Sequence, residues 1–176
     1  MLTGSLTACR FNNDNTAQQE VIRAHQHFIA QLAPYAQQLY REYHVLPSIT
    51  LAQAILESNW GTSTLATKYH NLFGVKGEDP HNTQLLTTQE YVNGQWQTIT
   101  GRFRVYPSYQ AAMLDHALLF VHGTSWNGQQ YADVLHANNY QTAAQALLTD
   151  GYATDPNYPQ KLLKIITKYH LEQYDH

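Results

Sequence analysis

Cysteine is nearly absent: Cys9 stands alone in 176 residues. No disulfide can close within the chain, and cysteine usage does not reveal a redox compartment. Charge is scarce too. Asp, Glu, Lys and Arg make up 13% of the residues, against a usual share of about 25%. The net charge is −3 with histidine neutral, and no basic run stands out, so a nucleic-acid partner is not expected. No apolar stretch approaches the length of a membrane span. The ten histidines make the charge sensitive to mild acid, but they form no HExxH or comparable pattern. His25 and His27 lie two apart, a spacing that does not share one helix face. Neither a metal site nor a cofactor is read from the sequence.

Gln, Asn, Thr and Tyr supply the polar surface instead. Thirteen tyrosines are many for this length, and amphipathic rings suit stacking on sugar faces, although most of the thirteen read as ordinary core and surface. The length fits one compact domain. Residues 1–15 are polar and Asn-rich and read as a disordered segment ahead of a single domain over 16–176, expected to be a monomer. Leu6-Thr7-Ala8-Cys9 resembles the lipobox at which bacterial lipoproteins are cut and lipidated. It lacks a preceding basic region and apolar run, so lipid anchoring through Cys9 is the weaker reading.

From Thr16 the apolar residues Val21, Phe28, Ile29, Leu32, Ala36, Leu39 and Tyr43 recur at helical steps, with Pro34 expected to kink or divide the helix. Leu46-Pro47-Ser48 stops that helix and starts another, with Ser48 as its expected N-cap, Ile49, Ala52, Ile55 and Leu56 on its buried face, and Gly61 as its stop. Residues 84–92 and 95–105 flank Asn93-Gly94, the strongest short hairpin signal. Helices return from Ser108 to His122, near 128–137 and 142–149, and from Tyr158 towards Tyr169. Helices around one hairpin make an α+β domain.

The chemistry concentrates in Ala52-Gln53-Ala54-Ile55-Leu56-Glu57-Ser58-Asn59-Trp60-Gly61. Glu57 sits in the last turn of an apolar helix, where partial desolvation and the C-terminal end of the helix dipole both raise a carboxyl pKa. A general acid working near neutral pH requires such a shift. From spacing alone, an ordinary solvated glutamate is the commoner explanation.

The run LPSITLAQAILESNWG (46–61), with Asn71-Leu72-Phe73-Gly74-Val75-Lys76-Gly77, resembles the glucosaminidase domain of glycoside hydrolase family 73, which includes bacterial autolysins and the muralytic domain of the flagellar rod-capping protein. The resemblance continues through FRVYPSYQAAMLDHALLF (103–120) and GYATDPNYPQKLLKII (151–166), so four motifs appear in order over about residues 27–168. It implies a lysozyme-like α+β fold with a hairpin lobe beside a cleft. It also implies endo-β-N-acetylglucosaminidase action on the β-1,4 bond after N-acetylglucosamine in peptidoglycan, outside the cell or in its wall, in a bacterial or phage protein. Glu57 matches the family's essential acid, and Glu90 resembles its hairpin glutamate. A tyrosine of the Gly151–Tyr158 region reaches the active site in the family; Tyr152 and Tyr158 both fit, with Tyr152 slightly favoured beside Gly151. Asp155 reads as an N-cap for the last helix.

Ser58, Trp60, Asn71, Phe73 and Lys76 are candidate substrate-binding residues. Trp60 and Phe73 suit stacking on sugars and equally suit wedging behind the catalytic helix. Asn71 and Lys76 suit hydrogen bonds to hydroxyl or acetamido groups, while Lys76 also fits a solvated loop charge. Retention, inversion and attack by the substrate's own acetamido group all stay open. Two rivals remain: a lytic transglycosylase, which shares the fold and a Glu-Ser pair, and a non-catalytic glycan-binding or phage-tail protein.

Overall fold

The computed structural model describes the backbone of residues 5–92 and 95–176, and the side chains of 16–87, 95 and 97–176. Met1–Gly4, the side chain of Cys9, the side chain of Glu90 and the Asn93-Gly94 turn lie outside the described residues. The chain divides into two compact units, Met1–Gln31 and Leu32–His176.

Helix α1 (Ser5–Tyr43) begins eleven residues ahead of the Thr16 start expected from the pattern and runs through Pro34 as one helix. Low intrinsic propensity in the Asn-rich stretch is a weak bias that does not by itself end a helix. Within the first unit Val21 and Ile22 are exposed, so Val21 does not belong to a buried stripe.

The second unit carries the remaining elements: α2 (Pro47–Ser58), α3 (Thr64–Tyr69), β1 (Thr83–Val92), β2 (Gln95–Arg104), α4 (Tyr109–His122), α5 (Ala132–Leu135), α6 (Tyr140–Thr149), α7 (Tyr158–Tyr169) and a short 3-10 turn, Leu171–Tyr174. It is mostly helical with one antiparallel two-stranded sheet. The register pairs Val92 with Gln95 and Thr83 with Arg104, leaving two residues at the hairpin end. Among the described residues, no helix is long and apolar enough to cross a membrane.

Helix α2 is the centre of this unit. Every residue from Pro47 to Ile55 is buried, which is expected of a helix that is apolar nearly all round. Helices α6 and α7 and the Leu171–Tyr174 turn pack against it, and the same core holds Leu72, Met113, Phe120, Leu147, Leu162, Ile166 and Leu171, all 1% exposed or less.

The start of α2 differs from expectation. Leu46 holds the N-cap position and Pro47 the first turn, where proline's fixed φ and missing N–H suit a helix start. Ser48 therefore lies inside the helix. Its N–H and hydroxyl both donate to the Asp175 carboxylate, at 2.8 and 2.7 Å, which sets an acidic group at the helix N-terminus where the dipole favours it. The other end also differs. Asn59 is the C-cap, with φ 48°, and Trp60 and Gly61 follow at φ 60° and 71°. Three successive left-handed residues turn the chain sharply away after Ser58.

Ser108 does cap α4, accepting from the Ala111 N–H at 3.2 Å, and Gly123 ends it. The N-cap position of α7 belongs to Asn157 rather than Asp155. Asp155 sits two residues earlier, accepts from the Asn157 N–H at 2.9 Å, and pairs with Lys161 at 2.6 Å.

Candidate active site

Helix α2 stays buried until its last turn, where Glu57 emerges exposed to solvent. One side of the carboxyl faces water while protein crowds the other. Crowding is the largest influence on the group and raises its pKa. A hydrogen bond from Tyr158 and the charge of Lys161 oppose the rise without cancelling it.

The hydrogen bonding beneath Glu57 is specific. Gln53 lies one turn earlier on α2 and is fully buried. Its Nε2 donates to the Tyr158 hydroxyl at 3.1 Å, and that hydroxyl donates to Glu57 Oε1 at 3.0 Å. Oε1 is thereby engaged, and among the described residues no hydrogen bond engages Oε2. One carboxyl oxygen is fixed to the scaffold and the other is available to carry a proton outward. Tyr158 is 6% exposed, and burial, followed by the charges nearby, pushes its own pKa up. Its hydroxyl therefore keeps its proton and remains a donor.

The second tyrosine takes a different position. Tyr152 belongs to a ring cluster, 5.6 Å from Phe120, 5.9 Å from His116, and 6.1 Å from both Tyr131 and Tyr158. Burial raises its pKa, with the negative charge of Glu57 adding to the effect. Both tyrosines thus lie about the acid, and Tyr158 is the one that hydrogen-bonds it. Glu90 pairs with Gln97 across the hairpin backbone.

Three expected binding residues turn out to be structural. Ser58 is 1% exposed; its hydroxyl donates to the Ala54 carbonyl at 2.5 Å and accepts from the Gly61 N–H at 2.7 Å, stitching the sharp turn. Asn71 is also 1% exposed. Its amide donates to the Val75 and Arg104 carbonyls and accepts from the Phe73 and Val75 N–H groups, at 2.9 to 3.3 Å. All four bonds are made with backbone, so none remains for a sugar. Phe73 is buried and stacked on His116 at 3.9 Å, the wedge rather than the stacking platform. Trp60 is partly exposed and meets Tyr169 edge-on at 4.7 Å. Lys76 is exposed, with its Nζ 5.9 Å from the centre of the Phe103 ring.

A family model described as mannosyl-glycoprotein endo-beta-N-acetylglucosaminidase matches residues 33–171, most of the chain. The chain belongs to the glucosaminidase family. Within it, the chain is 53% identical to the exo-glucosaminidase LytG of Bacillus subtilis over 156 residues, covering 89% of this chain and 55% of LytG. It is 44% identical to a probable N-acetylmuramidase of Lactococcus lactis, covering 84% of this chain and 34% of that protein. It thus spans about half the length of one curated relative and a third of the other. The crystal structure of the catalytic domain of the autolysin Auto from Listeria monocytogenes superposes with a TM-score of 0.78 at 32% identity, covering 99% of this chain and all of that one. The glycoside hydrolase domain of Salmonella typhimurium FlgJ superposes at 0.66 with 36% identity, covering 83% of this chain and 97% of that one. The lysozyme-like fold implied by the sequence is the fold of this glucosaminidase domain.

Two residues beside Glu57 escaped sequence reasoning. Gln53 lies four residues before Glu57, the spacing that puts two side chains on one helix face, and that signal was available. Lys161 carried no comparable signal, because its closeness to Glu57 depends on how α7 packs against α2. The strap joining hairpin to helices is likewise tertiary. Arg104 grips Asp115 of α4 through both carboxylate oxygens at 2.9 and 2.7 Å, and the Tyr106 hydroxyl adds a third bond at 2.6 Å.

Proposed function

We propose that this chain is a peptidoglycan hydrolase of the endo-β-N-acetylglucosaminidase type, acting outside the cell or in the wall, with residues 33–171 as its catalytic unit. One observation carries the reading: an exposed carboxyl with a raised pKa at the end of a buried helix, with one oxygen held by Tyr158. Glu57 in its protonated form gives its proton to the glycosidic oxygen as the bond breaks, leaving an oxocarbenium-like sugar. Tyr158 fixes the carboxyl rotamer so that the outward oxygen is the donor. Water then attacks with Glu90 as base, or the substrate's acetamido group attacks first, with Tyr152 or Tyr158 at hand to orient it. Trp60 and Lys76 are the expected binding residues still open to solvent.

LytG carries the name exo-glucosaminidase and the lactococcal relatives the name N-acetylmuramidase, so the bond and the mode of attack both need a direct test. Mass spectrometry of muropeptides released from purified walls should show N-acetylglucosamine at the new reducing ends. Early products should be oligosaccharides of mixed length. Release of single units from strand ends would instead assign exo action. N-acetylmuramic acid at the reducing ends would make the chain a muramidase, and anhydro ends a transglycosylase.

A further inference from the structure

Helix α7 is unlike the rest of this acidic chain. It holds three of the five lysines, Lys161, Lys164 and Lys168, and no acid. Steps of three and four place them in one narrow stripe, and all three are exposed. Tyr158, Pro159, Leu162 and Ile166 fix the other face in the core. The stripe starts beside the acid: Lys161 lies close enough for its charge to act on Glu57. It runs away for seven residues, about 10 Å of helix.

Beside its far end is a pocket of about 270 Å³ between α2 and α7. The edge-on pair Trp60 and Tyr169 lines it, with Leu56 and Ile165 as apolar wall and Lys164 and Lys168 at the rim. Lys168 also lies 5.2 Å from the centre of the Tyr169 ring. Lys164 has no salt-bridge partner among the described residues. A groove of this kind suits a ligand with small aliphatic groups and free carboxylates.

We propose that this groove is a subsite for the carboxylate-bearing peptide stems that hang from the glycan strand, with Lys164 and Lys168 meeting the carboxylates and Trp60 and Tyr169 walling the stem. The proposal rests on the peptidoglycan reading above. Charge complementarity favours the stem as occupant, because a chain of net charge −3 would otherwise repel an acidic substrate.

The test compares wild type with the Lys164→Gln/Lys168→Gln double variant on two substrates. One is glycan with its stems, freed of phosphate polymers; the other is the same glycan after an amidase has removed the stems. Two exposed charge contacts together are worth about a threefold to tenfold change in affinity. The variant's KM on stem-bearing strands should rise by that factor at low salt, with kcat held and the melting temperature unchanged. On stem-free strands the rise should stay below about twofold. Equal changes on both substrates, or no change on either, would overturn the proposal. A change confined to walls that retain phosphate polymers would assign the stripe to phosphate and overturn it as well. Failure of the wild type to cleave either substrate would sink the peptidoglycan reading itself.

Discussion

Replacing Tyr158 with phenylalanine keeps the buried ring and removes only the hydroxyl that joins Gln53 to Glu57. Two consequences can be worked out. Gln53 is fully buried, and its Oε1 already has no partner. Without the hydroxyl, its Nε2 loses its acceptor too. Leaving a buried polar group unsatisfied costs about 1–3 kcal/mol. Each kcal/mol in a domain of this size is worth about 2–4 °C, so a central cost of about 2 kcal/mol lowers the melting temperature by about 4–8 °C.

The second consequence has a definite sign. The hydroxyl donates to the carboxyl and favours its charged form, holding the Glu57 pKa down against the upward push of burial. In the variant that push acts with less opposition and the pKa climbs. A general acid loses activity as pH rises through its pKa. The alkaline limb of the kcat/KM profile should therefore move to higher pH, even while the maximum rate falls because the carboxyl rotamer is less well fixed. Release of reducing ends measured across the pH range, together with calorimetry, reads both effects. An alkaline limb that stays in place or moves down would refute the argument, as would a melting temperature within about 1 °C of wild type.

Other outcomes follow from the same geometry. Glu57→Gln should fold and lose about 10²–10⁴-fold in rate. Because the folded state raises this carboxyl's pKa, Glu57 contributes stability below its ordinary value of 4.5 and loses it as pH rises through the folded pKa. The glutamine variant should therefore gain on wild type in melting temperature from acid towards neutral pH; a falling difference would contradict the raised pKa. Asn71→Ala breaks four bonds to backbone and should cost about 3 kcal/mol in denaturant unfolding; unchanged stability with a raised KM would restore Asn71 as a sugar ligand. Glu90→Gln should cost about as much rate as loss of the acid if Glu90 activates water, with azide rescue giving an α-azide product. Full activity would make it an ordinary strand residue.

Legibility in the sequence followed the range of the physics. Ser108 and Gly123 bound α4 as expected because a cap bonds within three or four residues of itself. The hairpin register is local too, with Val92 opposite Gln95. Glu57 was legible only through the four-motif resemblance, because an acid at the end of an apolar helix is by spacing alone more often an ordinary solvated glutamate. Ser48 misled because its side chain serves Asp175, 127 residues away, while Pro47 sets the helix start. Asn71 has the chemistry of a sugar ligand, but its amide is filled by the nearby backbone of Phe73 and Val75 and by the returning strand at Arg104, an arrangement visible only in the fold. Tyr152 was favoured over Tyr158 from the freedom of Gly151. Which hydroxyl meets Glu57 is decided by the packing of α7 on α2, and no spacing within the motif encodes that.

The left-handed run after Ser58 has a consequence for laboratory evolution. Trp60 carries the bulkiest of side chains at φ 60°, a conformation that costs an ordinary L-residue about 1–2 kcal/mol and glycine almost nothing. Survival of heating is blind to whatever the indole does for a substrate. A library screened that way will be drawn to Gly or Asn at position 60, and its winners will be hardier proteins with one wall of the groove removed. Screens for a robust variant of this domain should therefore score turnover on polymeric wall in the same round as heat resistance.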